Sequence, residues 1–405
     1  MRLRPFVLGP LIYAGCAGVA AAQPAMPTVA GDRQFNVSTS VSAIYDSNFA
    51  RSSSALAAQR GISRREYTLR PQVSVDIIQP LGGQALFLRG GAGYDLHREN
   101  SQLDRPRADL QGGYLTSLGF CQLAAFGAYR VSQSDLALID SPAIKNTQQS
   151  TSIAAGATCG RPRGFGGSAI VQRSENMNSA AIQKEADSTT ENLLLSLGYT
   201  NPTLGRLAGT FNYSNNEFPN RILPGRPVGD GFFTTAYGLS AERQFGSRIT
   251  VRAAAGRTTV KREFAPPGSE AKFTSTTYSA AATYRAGSRL TFDVLGDRAV
   301  TPSPRAGKLY DIVTSGEVRG SYSLGSRYVV GFGHRIQDID SNVDTTLNVP
   351  VLTNSRTNAT FASLRYRQSR RASLLLDVRY EDRNANLPEF NYTSTRVGLT
   401  AEVGF

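Results

Sequence analysis

The sequence is poor in the residues from which most metal sites, redox sites and covalent cross-links are built. Its 405 residues include three cysteines, two histidines, three methionines and no tryptophan. Three cysteines exclude a scaffold held together by many disulfides, and two histidines leave little from which a histidine metal site or catalytic centre is made. We therefore predict no catalytic residues, no cofactor site and no metal site, and we predict that the chain is not an enzyme.

Long apolar segments are also scarce. After residue 22, no apolar run approaches the roughly 18 residues that a membrane-spanning helix needs. The preceding residues have the layout of a secretory signal peptide, because two arginines precede an apolar stretch that ends in three alanines. We predict cleavage after Ala22, so that 1–22 is the signal peptide and 23–33 a short periplasmic segment. The alternatives are an uncleaved buried helix and a lipoprotein anchored through Cys16.

Alternation of apolar and polar residues is what the sequence has in abundance. Between Tyr67 and Ile77, apolar residues fall on one parity and polar residues on the other, which in a strand makes one apolar and one polar face. The pattern recurs in about 18 segments, and no helical period competes with it over a long window. The connectors alternate short and long, which is typical of a closed membrane barrel with tight periplasmic turns and longer outer loops.

We therefore predict an all-β fold, a transmembrane antiparallel up-and-down β-barrel of about 18 strands (16 to 18) over residues 34–405. A soluble propeller or double sandwich is the alternative, but such folds bury a packed core, whereas here the second face is polar nearly throughout. Phe405 resembles the C-terminal aromatic signal of bacterial outer-membrane barrels. We predict the bacterial outer membrane as the location and its lipid as a partner. Nucleic acid is not a predicted partner, despite the net charge of +13.

Charged side chains on the polar parity are candidates for the wall of a water-filled lumen. Basic and acidic residues are roughly balanced there, so the plain interpretation is a wall of cross-strand ion pairs. The candidate lumen-lining residues are Arg70, Arg89, Arg130, Arg252, Arg319, Arg365, Arg379, Arg396, Asp76, Asp95, Glu317 and Asp377.

The excess of basic residues lies in and beside the short connectors, where a Gly-Arg or Gly-Ser-Arg step recurs. We call this group the periplasmic collar. Two interpretations are open: an electrostatic funnel for an anionic polymer, or arginines that reach the head groups of the inner leaflet. The collar comprises Arg161, Arg163, Arg206, Arg248, Arg289, Arg327, Arg370 and Arg371.

Two cysteines remain after the predicted cleavage. Cys121 begins one predicted strand and Cys159 ends the next, so an antiparallel hairpin places them near each other. The oxidising periplasm permits a disulfide between them. The alternative is two separate small apolar residues.

The segment from Val41 to Phe49, which contains Tyr45-Asp46-Ser47-Asn48, resembles the start of the VpsM-like family of bacterial outer-membrane barrels. The resemblance implies an outer-membrane conduit for a surface exopolysaccharide, with an acidic polysaccharide and periplasmic export proteins as partners. A short polar loop opened by Asp46 and Asn48 is the local alternative.

Two other functions stay open. One is a passive porin or nutrient channel for small solutes, and the other is a structural barrel whose lumen is closed by loops. In the porin alternative, opposed charges on the long connectors at 46–64 and 339–355 form a field across the pore. Those charges are Arg51, Arg60, Arg64 and Arg65 against Asp338, Asp340 and Asp344.

Overall fold

In a computed structural model, the chain forms one closed sheet of 18 antiparallel strands. The structure describes residues 33–133, 145–222, 229–265, 270–303, 308–343 and 352–405. The predicted signal peptide and residues 23–32 of the predicted periplasmic segment lie outside the described residues. Within the described ranges, no helix is long and apolar enough to cross a membrane.

The strands run up and down in chain order. They are β1 (Gln34–Asp46), β2 (Glu66–Leu81), β3 (Gln84–His97), β4 (Arg105–Leu118), β5 (Cys121–Gln133), β6 (Thr147–Cys159), β7 (Gly164–Asn178), β8 (Ser188–Asn201), β9 (Gly205–Ile222), β10 (Gly229–Phe245), β11 (Ile249–Arg262), β12 (Lys272–Ala286), β13 (Leu290–Pro302), β14 (Lys308–Leu324), β15 (Tyr328–Val343), β16 (Asn354–Arg367), β17 (Ala372–Ala385) and β18 (Tyr392–Gly404). A short helix, α1 (Ser54–Gln59), follows β1, and three 3₁₀ turns occupy Ser101–Leu103, Ala181–Ala186 and Pro388–Phe390.

The sheet closes where β1 pairs with β18, from Ser38 opposite Gly404 to Asp46 opposite Arg396. Closure is required in lipid because an open sheet edge would leave backbone N–H and C=O groups without water to satisfy them. The predicted fold class is confirmed, with the strand number at the upper end of the predicted range.

The two faces of the sheet differ as the alternation predicts. In β8, Leu193, Leu195 and Leu197 point outward, and Leu197 is 68 % exposed, whereas Asn192 and Ser196 share the inward face. Outward leucine, valine and tyrosine side chains are similarly exposed around the barrel. A continuous apolar belt of this kind is stable only when lipid covers it, so the chain is a bacterial outer-membrane barrel.

The turns at one end of the barrel are short and built on glycine. Gly246, Gly287 and Gly325 take the same place in three of them, with φ of +58°, +69° and +65°. This left-handed conformation favours glycine because a Cβ would clash there. Tight turns mark the periplasmic end and the longer connectors mark the extracellular end.

Several strands extend further at the extracellular end than the alternation indicates. The predicted segments 205–216 and 327–338 correspond to β9, which ends at Ile222, and β15, which ends at Val343. Above the membrane both faces of a strand are in water. Polar residues such as Asn215 and Glu217 therefore occupy outward positions, and the apolar–polar alternation that marks a strand in the sequence is lost.

Cys121 and Cys159 lie directly opposite each other where β5 pairs with β6, and they form a disulfide. Their positions are on the outward parity, beside the periplasmic turns. The bond links two neighbouring strands at the base of the lipid-facing wall.

Candidate channel lumen

The pairing register places all twelve predicted lumen-lining residues on the inward face of the sheet. Several form cross-strand ion pairs along the wall. Arg89 Nε lies 2.8 Å from Asp76 Oδ1, and Arg319 Nε lies 3.1 Å from Asp293 Oδ2. Arg252 Nη2 lies 3.0 Å from Glu242 Oε1. The wall is therefore a network of paired charges over much of its circumference.

One wall of the lumen carries an excess of arginine, which we call the arginine patch: Arg105 and Arg107 of β4 and Arg130 of β5. Among the described residues of these two strands, Asp109 is the one inward carboxylate. The inward side chains of β4 and β5 therefore carry a net charge of +2, from three arginines and one aspartate. Arg107 shares Asp95 with Arg70, at 4.0 and 2.5 Å. Arg105 donates to the Thr147 hydroxyl at 2.5 Å.

The opposite wall carries an excess of carboxylates, the acidic patch: Asp293 and Asp297 of β13 and Glu317 of β14. In a ring of 18 strands, β13 and β14 lie nine strands from β4 and β5, which places the two patches across the lumen from each other. Arg319 lies 3.1 Å from Asp293 and 3.8 Å from Glu317, and Arg335 of β15 is opposite Glu317. The arginine patch and the acidic patch therefore place opposite charges on facing walls of the lumen.

The strands β6 to β9 form a third sector that is polar without charge. Most inward positions here are held by serine, threonine, asparagine and glutamine, with Arg206 at the periplasmic end and apolar residues such as Ile170 and Leu194 between them. Thr190 and Asn216 are hydrogen-bonded across the wall at 3.1 Å. This sector offers hydroxyl and amide groups to a solute beside the charged walls.

At the extracellular mouth, the hairpin of β13 and β14 leaves the wall and folds inward. We call residues 299–303 and 308–312 the mouth hairpin. The pairing of β12 with β13 stops at Tyr278 and Arg298, although β12 continues to Lys272. Beyond that point β13 approaches β10 and β11. Since β12 lies between β11 and β13 in the sheet, β13 must cross its face.

Apolar contacts show which face the mouth hairpin covers. Val300 is fully buried against Phe218, Phe232 and Val260, which carry the lumen parity on β9, β10 and β11. Tyr310 packs against the same cluster, and its ring stacks on Phe273 with centroids 3.8 Å apart. The mouth hairpin therefore lies on the lumen side and narrows the extracellular entrance.

A buried ionic cluster holds this packing. Asp230 has a fully buried carboxylate that lies 3.0 Å from Arg262 Nη2 and 3.7 Å from Arg221 Nη1. Arg221 donates through both terminal nitrogens to the backbone carbonyl of Ser303, each at 3.3 Å. The side chain of Arg221 therefore connects the wall to the mouth hairpin.

The connection between β1 and β2 forms a second inward structure at the mouth. Phe49 lies 5.0 Å from the ring of His97, which faces the lumen on β3. The buried Glu66 carboxylate accepts hydrogen bonds from the backbone and side-chain nitrogens of Asn100, at 3.0 and 2.6 Å. The first long connector thus packs against an inward residue at the extracellular end of β3.

The Tyr45-Asp46-Ser47-Asn48 segment lies at the closing seam of the barrel. Asp46 accepts from the Asn48 backbone at 2.9 Å and from the Ser394 hydroxyl at 2.7 Å. Asn48 donates to the carbonyls of Ser52 and Thr393, at 3.1 and 3.2 Å. The motif therefore joins the first strand to the last at the extracellular end.

The predicted opposition of charges between the two long connectors is wrong for the residues that can be assessed. Asp338 and Asp340 belong to β15 on its outward parity, and Asp338 lies 3.6 Å from Arg356. The physical reason is that β15 continues as a strand above the membrane. Arg51 pairs with Asp46 at 2.7 Å. Asp344 lies outside the described residues.

The periplasmic collar lies at the short-turn end, and most of its arginines are exposed. In the described part of the chain, no carboxylate forms a salt bridge with any of its eight members. The turns between paired strands at this end contain no aspartate or glutamate. Arg161 lies 4.7 Å above the ring of Phe120. The inner mouth is therefore strongly basic.

Sequence reasoning missed the residues that shape the extracellular mouth. Asp230, Arg221 and Arg262 lie far apart in the chain and show no spacing that links them. A signal was nevertheless present, since Phe218, Phe232 and Phe273 are large apolar residues on the parity that is otherwise polar. Within the described ranges, no cluster of metal-ligating side chains occurs.

Two solved structures share this architecture. The BenF-like porin of Pseudomonas fluorescens Pf-5 is 12 % identical with a TM-score of 0.52, and the similarity covers 92 % of this chain and 99 % of that one. OccK2 (OpdF) of Pseudomonas aeruginosa is 11 % identical with a TM-score of 0.50, covering 92 % and 98 %. At such identities the similarity shows the fold alone.

No protein-family model matches the sequence, and no curated protein is detectably similar to it. The resemblance to the VpsM-like family therefore has no support beyond Tyr45 to Asn48. The closed sheet and its lipid-facing belt define the chain as an outer-membrane β-barrel with the fold of these two structures.

Proposed function

We propose that the chain is a passive outer-membrane channel for small polar solutes, with a preference for anions. The observation that carries the proposal is the lumen wall, which is lined mostly by polar and charged side chains. Near the periplasmic turns of β3 to β5 the inward face instead carries an apolar cluster of Ala85, Phe87, Leu115 and Ala124. A barrel of 18 strands is wide enough to hold an aqueous path. One of the two structural neighbours, the BenF-like protein, is a porin, which supports small solutes over exported polysaccharide.

The arginine patch supports the preference for anions. Arg130 is exposed to the lumen, and no salt bridge joins it to a described carboxylate. A carboxylate solute can bind Arg130 and then pass to Arg107, because guanidinium groups bind carboxylates through parallel N–H donors. The acidic patch across the lumen directs the same solute toward the arginine side.

The periplasmic collar supports the same preference from the inner mouth. A rim of mostly exposed arginines that form no salt bridge with a described carboxylate raises the local concentration of anions. The collar would also suit an acidic polymer, but the inward packing of the mouth hairpin and of the first connector favours solutes that are small.

The proposal is tested with the purified full chain in liposomes, by comparing the entry of gluconate with that of a neutral sugar of similar size. We expect both to enter, with gluconate favoured. The double variant Arg107→Gln with Arg130→Gln should reduce that preference about sevenfold, since each of the two charges, ~7 Å from a solute in a water-like medium, contributes ~0.6 kcal/mol. Arg173→Gln, an outward residue, is the matched control.

Three outcomes contradict the proposal. Exclusion of both solutes would favour a lumen closed by loops. An unchanged preference in the double variant would remove the role of the arginine patch. Loss of surface polysaccharide after deletion of the gene, with solute uptake unaffected, would favour export.

A further inference from the structure

Four cations gather on the outward face of three neighbouring strands near the extracellular end. They are Arg257 and Lys261 of β11, Lys272 of β12 and Arg298 of β13, and we call them the outer cation cluster. The register places Lys261 directly opposite Lys272, and Arg298 opposite Tyr278. Their parity is the one that faces lipid lower on the same strands.

These cations have no acidic partner among the described residues. No salt bridge or side-chain hydrogen bond in that part of the chain involves Arg257, Lys261 or Lys272. Arg298 donates to the hydroxyl of Thr314 at 3.3 Å. The cluster is therefore a local excess of positive charge on the outer surface.

Other outward cations at the same end are neutralised. Arg173 of β7 lies 3.1 Å from Glu175 and 3.1 Å from Glu191. Arg356 of β16 lies 3.6 Å from Asp338. The outer cation cluster thus differs from these cations because none of its members forms a salt bridge with a described carboxylate, although Glu263 and Glu270 follow two positions beyond the two lysines on the same parity. Its position is confined to one side of the barrel.

The facing lysines need a counter-ion. Residues directly opposite in an antiparallel pair have Cβ atoms about 4.5–5.5 Å apart, and like charges there destabilise the sheet. One step below them, the hydroxyls of Thr259 and Thr274 lie 3.0 Å apart on the same face. An anion seated between the lysines would relieve the repulsion and receive hydrogen bonds from hydroxyl groups.

The height of the cluster indicates where the anion comes from. Tyr237 lies directly opposite Arg257, and Tyr278 lies beside it on β12. Outward aromatic residues mark the boundary between hydrocarbon and head groups, and Ala255, Ala253 and Val251 continue below as apolar surface. The outer cation cluster is therefore level with the head groups of the outer leaflet.

We propose that the outer cation cluster binds the phosphate groups of lipopolysaccharide in the outer leaflet. Lysine and arginine form charge-assisted hydrogen bonds to phosphate oxygens, and basic sites beside membrane-spanning segments bind anionic head groups. The bound glycolipid bridges β11 and β12 through Lys261 and Lys272, while Arg257 and Arg298 contact it from below and from the side.

The test uses the folded full chain in detergent, with a defined rough-type lipopolysaccharide and its enzymatically dephosphorylated form as probes, and native mass spectrometry as the readout. The triple variant Arg257→Gln, Lys261→Gln, Lys272→Gln should bind the phosphorylated probe at least about tenfold more weakly. The control Arg173→Gln with Arg356→Gln should bind like the unaltered chain. Heat-dependent gel migration verifies that each barrel is folded.

Equal binding by the triple variant and the unaltered chain overturns the proposal, as does equal binding of the dephosphorylated probe. Competition by inorganic phosphate at the same phosphate concentration also overturns it, because the site would then hold free anions and not the glycolipid. Retained binding in the control with loss in the triple variant supports it.

Discussion

Asp230 is the residue on which the packing of the mouth hairpin depends most. Its carboxylate is buried between Arg262 and Arg221, and Arg221 in turn holds the Ser303 carbonyl. A buried charge that loses its partner is costly because neither water nor another ion replaces the contact. The Asp230 carboxylate therefore supports the mouth hairpin beside the apolar cluster that Val300 and Tyr310 join.

Asp230→Asn should loosen the mouth hairpin, because it removes the buried carboxylate that lies between Arg221 and Arg262. We expect a loss of about 3 kcal/mol in the local free energy of opening. Hydrogen exchange at residues 299–303 and 308–312 should accelerate by about two orders of magnitude, while the belt segments of the barrel keep their rates.

Asp109→Asn is the matched control for this substitution. Asp109 also faces the lumen, but it is exposed and forms no salt bridge with the described residues. It should change the same rates by less than about 0.5 kcal/mol in equivalent free energy. Equal effects of the two variants would show that the buried cluster does not hold the mouth hairpin.

The Cys121–Cys159 bond gives a second prediction at the residue scale. Alkylation of the unreduced protein should leave Cys121 and Cys159 unlabelled, because their sulfurs are bonded to each other. Reduction followed by alkylation should add two labels. Two labels without reduction would contradict the pairing.

At the scale of elements, the mouth hairpin leaves the barrel wall and packs against its lumen side. Its aromatic anchor is the stack of Phe273 on Tyr310, on the lumen side of β12. Aromatic pairs contribute about 0.5–1.5 kcal/mol beyond the area that they bury. Loss of this stack should therefore let the hairpin open without unfolding the barrel.

Tyr310→Ala should raise the single-channel conductance, because the anchor of the mouth hairpin is shortened. Tyr366→Ala is the control, since Tyr366 stacks on Tyr328 at 5.0 Å on the outward face, far from the entrance. It should leave conductance unchanged. A conductance unaltered by Tyr310→Ala would indicate that the entrance is limited elsewhere.

The periplasmic turns give a prediction about the collar. The triple variant Arg248→Gln, Arg289→Gln, Arg327→Gln removes charge from three turn tips without altering the glycines that shape them. Its anion selectivity should fall, and the fall should shrink at high salt because screening shortens the reach of surface charge. Unaltered selectivity at low salt would favour the alternative in which these arginines bind inner-leaflet head groups.

How much of these elements the sequence predicts depends on where they lie. Within the membrane, lipid imposes strict alternation, so β8 with Leu193, Leu195 and Leu197 is evident from the residues alone. At the extracellular end that constraint is absent, and β9 and β15 run past their predicted limits. The mouth hairpin is less predictable still. Val300 has the parity of a lipid-facing residue, but its strand leaves the wall there, so its side chain is buried on the lumen side.

At the scale of the whole molecule, the charges form a pattern that no single strand reveals. The arginine patch and the acidic patch face each other only because the sheet closes and places β4 and β5 opposite β13 and β14. The parity of each residue follows from the sequence, but its position around the ring follows from the strand number. The collar adds a basic inner mouth to this arrangement.

The most direct test of the account is the reversal potential of the full chain in a planar bilayer with a potassium chloride gradient. The account predicts a conducting pore that prefers chloride over potassium, with a preference that weakens as ionic strength rises. A pore that prefers potassium, or a folded barrel that does not conduct at all, would contradict it.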